Sequence, residues 1–484
     1  MLFNSFEFLV FLPLVFLGYW FVFKPLKIQN LFVVAVSYLF YGLWDWRFLL
    51  LIAFTTACSF ASGVLLEKWE GRRKRQKWVC VSNLILNLVI LGIFKYFNFF
   101  GENFAALFRQ FGYDPGWVTL HVVLPVGISF YTFQALSYTI DVYRGQLKAT
   151  HDAVAFFAFV SFFPQLVAGP IERAVNLLPQ FTRPRTFDYD RAVDGIRQML
   201  WGFFKKVVIA DNCAIWANGI FGNYEAINGS GLFLGAFFFT IQIYGDFSGY
   251  SDIAIGCAHL FGIDLMRNFN FPYFARDIAE FWRRWHISLT TWFRDYIYIP
   301  LGGSRCGKWK SVRNVFIVFL VSGFWHGADW TFILWGLYHA LLFLPLLLLK
   351  RNRKYNGKVA ENRIFPLPGE WARMSVTFVL VLIGWIIFRA ESVPQAFHYI
   401  GRMFVPSLFA RPNTAFACLY LSDALRLLVL IFLMFAVEWR QRNEQHALAY
   451  LHSKAVVRWS FYGLLVGCLF LFMGKVETFI YFQF

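Results

Sequence analysis

The sequence predicts an all-α polytopic membrane protein with about eleven or more transmembrane helices and further re-entrant or interfacial helices. Of its 484 residues, 58% are hydrophobic and only 15% are charged, whereas a soluble domain carries roughly a quarter of charged residues. Apolar stretches also recur along the chain, and many approach the roughly 20 residues that cross a bilayer. Since no Gly/Ser linker or clear internal repeat interrupts them, we expect a single integral-membrane domain over residues 1–484.

The clearest apolar stretches are candidates for the membrane helices. They cover residues 8–23, 31–44, 48–66, 78–97, 154–167, 232–244, 315–324, 330–349, 376–388, 427–437 and 459–473. Several are shorter than a full span, which predicts tilted or re-entrant helices. No basic residue precedes the first stretch, so we expect a retained helix rather than a cleavable signal peptide.

Basic residues lie mostly in short segments between the apolar stretches. The positive-inside rule predicts that residues 71–77, 276–314 and 350–363 are cytoplasmic basic loops or interfacial segments. Lys24 and Lys27 follow the first helix, which predicts a periplasmic N-terminus. The net charge of +17 is therefore expected to set topology and to contact anionic lipid, and no nucleic-acid partner is expected.

Residues 246–313 differ from the rest because polar and ionisable groups alternate there with aromatic ones. This pattern suits a segment on the membrane surface or along a water-accessible cavity. Asp246, Ser248, Tyr250 and Asp252 either position a hydroxyl acceptor or form a structural cluster that satisfies buried helix ends. Arg294 either lines the cavity or pairs with Asp295.

One histidine, His326, stands in an otherwise apolar stretch, Val321-Ser-Gly-Phe-Trp-His-Gly327. A polar ring there is costly, so it either hydrogen-bonds a neighbouring helix or does chemistry. His339 follows 13 positions later, and at about 100° per residue an unbroken helix would place the two on nearly opposite faces. They would share a pocket only if the helix breaks. His286, beside Arg283 and Arg284, either lines a cavity or is solvated at the interface.

Several sequence blocks resemble the signatures of the membrane-bound O-acyltransferase (MBOAT) family. They are Asp246-Phe-Ser-Gly-Tyr-Ser-Asp252, Phe281-Trp-Arg-Arg-Trp-His286, Trp292-Phe-Arg-Asp-Tyr296, Trp325-His-Gly327 and Trp335-Gly-Leu-Tyr-His339, with Leu124–Phe133, Phe163–Pro170 and Tyr481–Phe484. Within the family the chain is similar to the branch that contains the alginate O-acetylation membrane protein. Together these blocks span nearly the whole length.

The resemblance implies helices around a central tunnel in the bacterial inner membrane, with O-acyl transfer inside it. His326 would be the catalytic residue and His286 a second one. The donor would be acetyl-CoA or another acyl thioester from the cytosol, with no bound cofactor, and the partners would be periplasmic acetyltransferases of the SGNH type. The expected acceptor is an exported, alginate-like polysaccharide; peptidoglycan O-acetylation and teichoic-acid D-alanylation are the alternatives.

The chemistry agrees with this resemblance. Acyl transfer to a hydroxyl requires removal of its proton, which suits an imidazole whose ordinary pKa is about 6.5. Trp325 is expected to wall the cavity against water, and a cytosolic donor predicts an entrance beside Arg283, Arg284 and Arg294. No spacing indicates a metal site. A lipid or glycan transporter or flippase, with buried polar residues along its path, is the alternative from another class.

Overall fold

The computed structural model describes residues 1–113, 123–414, 419–449, 454–474 and 479–480, and these residues form helices and no β-strand. The all-α prediction is therefore confirmed. Helical segments long and apolar enough to span a membrane are Leu26–Lys68, Arg73–Gln110, Trp330–Leu348, Pro368–Arg389 and Ala455–Phe472, and Phe6–Val22 is a shorter apolar one. The number of about eleven spans and the central tunnel stay predictions. The block at residues 481–484 lies outside the described residues.

The chain forms two compact units, Met1–Ala192 with Ala258–Leu265, and Val193–Cys257 with Met266–Phe484. The single domain expected from the sequence stays a prediction. The helices of the first unit are α1 (Phe6–Leu17), α2 (Leu26–Asp45), α3 (Leu49–Lys68), α4 (Arg73–Gln110), α5 (Ile128–Tyr143), α6 (Ala153–Ser161), α7 (Phe163–Leu166) and α8 (Ala174–Phe181).

The core of the first unit is built around α5, which packs against α3 and α4. Some of its buried polar side chains are hydrogen-bonded across helices, which offsets the cost of placing them in an apolar environment. Asn83 of α4 donates to Thr139 Oγ1 of α5 at 2.7 Å. Tyr19 donates to the main-chain oxygen of Phe261 at 2.9 Å, which fastens the short segment 258–265 to this unit.

The second unit carries all the candidate site residues. Apart from residues 189–192 and 258–260, it contains α9 (Tyr189–Phe203), α10 (Asp211–Gly222), α11 (Gly229–Leu260), α12 (Ile278–Arg284), α13 (Ile287–Phe293), α14 (Lys308–His326), α15 (Trp330–Leu348), α16 (Pro368–Arg389), α17 (Val393–Met403), α18 (Leu421–Arg440) and α19 (Ala455–Phe472). A π-helical segment, Phe204–Ala210, joins α9 to α10.

Two of the predicted basic segments, 276–314 and 350–363, are joined by hydrogen bonds within this unit. Arg283 of α12 donates to the main-chain oxygens of Asn352 and Tyr355 at 2.6 and 2.8 Å. Arg276 forms an ion pair with Glu280 at 3.0 Å. The segment 276–314 contains the short helices α12 and α13, a π-helical segment at Arg294–Tyr298 and the start of α14, so it is not a plain loop. Its cytoplasmic position, like that of 71–77 and 350–363, stays a prediction.

Candidate active site

The helix that carries His326 ends at that residue. Gly327 leaves the helical conformation, with φ −162° and ψ 158°, and Asp329 caps α15 by accepting from the Thr331 amide at 2.9 Å. The sequence left open whether the helix breaks between His326 and His339, and the structure shows that it does. A larger residue at position 327 would clash with the neighbouring helix, because a Cβ there would lie 2.0 Å from a ring carbon of Phe332.

Aromatic rings surround the imidazole of His326, which is only 4% exposed. Its ring centroid lies 4.9 Å from that of Trp325, 5.1 Å from Trp335 and 5.5 Å from Phe388. All three rings meet it at steep angles of 74°, 87° and 76°. Such walls exclude water and lower the local dielectric, which strengthens any electrostatic interaction formed inside them.

His286 occupies the junction between α12 and α13 and is 1% exposed. Its backbone is left-handed, with φ 44° and ψ 54°, a conformation that costs on the order of 1–3 kcal/mol in a residue other than glycine. Burial lowers the pKa of the His286 imidazole below its ordinary value, which favours the neutral ring. His286 Nδ1 lies 3.1 Å from Asn268 Oδ1.

His286 and His326 line the same cavity, although they come from different elements. The cavity has a volume of about 60 Å³ and is lined by Trp282, Trp285, His286, Leu289, Thr290, Phe293, Val318, Phe319, Ser322 and His326. The ring of Trp325, predicted to wall the cavity, is not among its lining residues but is close to both histidines, with its centroid 4.9 Å from that of His326 and 6.0 Å from that of His286. The space suffices for a small acyl or hydroxyl group beside both imidazoles.

The three arginines expected at the entrance do not line this cavity. Arg283 is bonded to the 350–363 segment, Arg284 forms an ion pair with Glu280 at 2.7 Å, and Arg294 forms one with Asp295 at 2.7 Å. Of the two roles predicted for Arg294, the structure shows the ion pair with Asp295 and not a place in the cavity lining. Access from the cytosol stays a prediction.

His339 is fully buried but lies outside the lining of this cavity. Its ring packs against Trp335 and Trp282, with both centroids 4.9 Å away. Neither of its ring nitrogens has a hydrogen-bond partner within the described part of the chain. Trp335 therefore packs against both His326 and His339. The two histidines differ because only His326 lines the cavity.

The block from Asp246 to Asp252 is distributed over a buried ionic network. Lys206 Nζ lies 2.8 Å from Asp246 and 2.7 Å from Asp211, and Lys205 Nζ lies 2.7 Å from Asp252. Ser248 accepts from Lys205 at 2.8 Å. Tyr250 instead packs its ring 4.9 Å from Phe479. None of the four lines the His286–His326 cavity, and a role toward a hydroxyl acceptor stays a prediction.

Sequence reasoning missed the two lysines that neutralise this block. Lys205 and Lys206 are 3% and 4% exposed, and they stand next to each other in an apolar run from Met199 to Ala210. Two adjacent charges in such a run are the signal that could have revealed them, because ionisable groups at membrane depth are paired or functional. Within the described ranges no cluster of three or more His, Cys, Asp or Glu residues is arranged to hold a metal ion.

The amino-acid sequence is similar to one protein family and to several individual proteins. The family model of the membrane-bound O-acyltransferases matches residues 31–369, which include every candidate site residue. The chain is 43% identical to a probable alginate O-acetylase of Pseudomonas aeruginosa over 406 residues, which are 84% of this chain and 75% of that protein. It is 32% identical to a peptidoglycan O-acetyltransferase of Helicobacter pylori over 100% of this chain and 98% of that protein. A teichoic acid D-alanyltransferase of Bacillus subtilis is 30% identical over 55% of this chain and 69% of its own.

Proposed function

Because this chain belongs to the membrane-bound O-acyltransferase family, we propose that it moves acetyl groups from a cytoplasmic thioester donor across the membrane for O-acetylation of an exported polysaccharide. The family and the O-acetyltransferase relatives establish a membrane O-acyltransferase, which rules against the transporter alternative. The donor is acetyl-CoA or another acyl thioester, which serves as substrate and not as a resident cofactor. The protein lies in the bacterial inner membrane with a periplasmic N-terminus and contacts membrane lipid.

The observation that carries the proposal is the cavity shared by His326 and His286. His326 accepts the proton of the acceptor hydroxyl while the hydroxyl oxygen attacks the thioester carbonyl. The new C–O bond replaces the C–S bond, and the thiolate leaves with the proton that His326 carried, so that an ester and a free thiol result. The aromatic walls keep out water, which would otherwise hydrolyse the donor.

The alginate-like acceptor is supported by the 43% identity to the Pseudomonas aeruginosa relative. In this reading, partner acetyltransferases of the SGNH type receive the acetyl group on the periplasmic side and complete the ester on the polymer. The shared cavity serves the first transfer, in which a hydroxyl of the partner or of a carrier acts as acceptor.

Peptidoglycan is the second candidate acceptor, since the Helicobacter pylori relative aligns with the whole of this chain. Teichoic-acid D-alanylation has weaker support, because the alignment with the Bacillus subtilis relative covers only 55% of this chain. The two acetyl acceptors are distinguished by isolating exported polysaccharide and peptidoglycan from the same cells and measuring the ester-linked acetate on each.

The experiment that tests the function compares His326→Ala with His151→Ala. His151 is an exposed histidine paired with Glu67 and controls for the loss of an imidazole as such. We expect ester-linked acetate, normalised to protein level in the membrane, to fall about 100-fold or more for His326→Ala, as for a lost general base. Unchanged acetylation in that variant would overturn the catalytic role, and D-alanyl esters in place of acetyl esters would overturn the proposed acyl group.

A further inference from the structure

Asn268 is a completely buried amide that contacts His286 and its neighbours at several atoms. Its Oδ1 lies 3.1 Å from His286 Nδ1 and accepts from Ser288 Oγ at 2.9 Å and from the Ser288 amide at 3.3 Å. Its Nδ2 donates to Ser251 Oγ at 3.1 Å. Both ends of the amide are thus engaged.

These contacts fix which end of the amide faces His286. A backbone N–H can only donate, so the atom that meets the Ser288 amide must be the acceptor Oδ1 and not the NH₂ group. Rotating the amide by 180° would place two donors against each other at Ser288. The hydroxyl of Ser251 can accept from Nδ2, which is consistent with the same orientation.

The orientation of Asn268 in turn determines the protonation of His286. Because Oδ1 is an acceptor, the nitrogen that faces it, Nδ1, must carry the hydrogen. The neutral imidazole then holds its basic lone pair on Nε2. Histidines that act as bases or ligands are commonly oriented by such a second hydrogen bond.

The backbone of Asn268 also holds the strained position of His286. Its main-chain oxygen accepts from the Ile287 amide at 2.9 Å, immediately after the left-handed residue. The Asn270 amide, two residues after Asn268, donates at 2.9 Å to the main-chain oxygen of Arg284, two residues before His286. The segment that contains Asn268 therefore forms main-chain hydrogen bonds to the α12–α13 junction both before and after His286.

We propose that Asn268 is a positioning residue that fixes His286 in the Nδ1–H tautomer, so that Nε2 is the basic nitrogen of the cavity shared with His326. This inference rests on the proposed function, in which substrate enters the cavity that His286 and His326 share. Asn268 itself lines a different, smaller cavity beside Lys205 and Asp252, so it acts through His286 and not on the substrate.

The decisive measurement is the tautomer. In purified protein labelled with ¹⁵N-histidine, the His286 signals are identified by their loss in His286→Ala, and their shifts report which nitrogen carries the hydrogen. We expect the Nδ1–H form in the native protein and a shift toward Nε2–H in Asn268→Leu, which has a similar volume and no acceptor. An Nε2–H form in the native protein would overturn the proposal, even if the Asn268 variant did not fold.

Activity supplies an independent test. We expect Asn268→Leu to lose about 100-fold in ester-linked acetate, and Asn268→Leu combined with His286→Ala to lose no more than His286→Ala alone. The matched control is Asn87→Leu, another fully buried asparagine, whose amide donates within α4 and whose loss is expected to leave activity per protein unchanged. A further loss in the double variant, or full activity of folded Asn268→Leu, would overturn the positioning role. Full activity of His286→Ala would instead show that the proposed role of His286 is wrong, and the tautomer would still test Asn268.

Discussion

Gly323 of α14 packs directly against the main-chain oxygen of Phe332 in α15, where an added Cβ would lie 2.2 Å from that oxygen. Gly336 makes the reciprocal contact, with a Cβ position 2.4 Å from the oxygen of Phe319. The two helices can therefore approach closely only because both residues lack a side chain. This approach holds the end of α14, and with it His326, against the aromatic residues of α15.

Gly323→Ala is expected to lower both stability and activity. A methyl group cannot fit against a backbone oxygen, so the helices must separate, at a cost of about 1–3 kcal/mol or more. Thermal unfolding in detergent and ester-linked acetate per protein would measure the two effects. Gly467→Ala in α19 is the control, since its Cβ would meet nothing within 4 Å; equal unfolding temperatures for the two variants would refute the packing argument.

Ser322→Leu is expected to block the cavity without unfolding the protein. Ser322 is 6% exposed and lines the cavity one turn before His326, so a larger side chain occupies space that substrate needs. Acetylation should fall while the protein level stays near that of the native chain. Val321→Leu, at the exposed neighbouring position, adds volume outside the cavity and should remain active; retained activity in Ser322→Leu would mean that substrate does not enter this space.

His339→Phe is expected to keep most of the acetylation activity. A phenyl ring preserves the packing against Trp282 and Trp335, and no hydrogen bond to a described residue is lost. The same substitution at His326 removes the proposed base and should abolish activity. Comparing the two at equal protein level separates packing from chemistry, and an equal loss in both variants would assign His339 to the reaction.

Lys206→Met is expected to destabilise the protein strongly. Asp246, which is 2% exposed, would remain in the interior without the ammonium group that lies 2.8 Å away. Removing one partner of a buried ion pair typically costs about 3–5 kcal/mol. The unfolding temperature should therefore fall clearly below that of Lys27→Met, an exposed lysine. If both variants unfold at the same temperature, the network does not hold the fold together.

The membrane class, the helical content and the family could all be predicted from the sequence, because they depend on composition, on the length of apolar runs and on local sequence blocks. The same holds for the selection of His326 and His286 as candidates. Each is unusual in its own neighbourhood, the first as a polar ring in an apolar stretch and the second within a block of charged and aromatic residues. Such signals are local and need no knowledge of distant contacts.

Only the tertiary structure decided which of these residues meet. Helical spacing relates side chains on one continuous helix, so it could not position His339 once Gly327 and Asp329 interrupt the helix. Nor could it bring His286 to His326 or pair Lys206 with Asp246, because those distances depend on how separate elements pack. The sequence by itself determined a helical membrane acyltransferase with two candidate histidines; the packing of α12, α13 and α14 decided that both line one cavity.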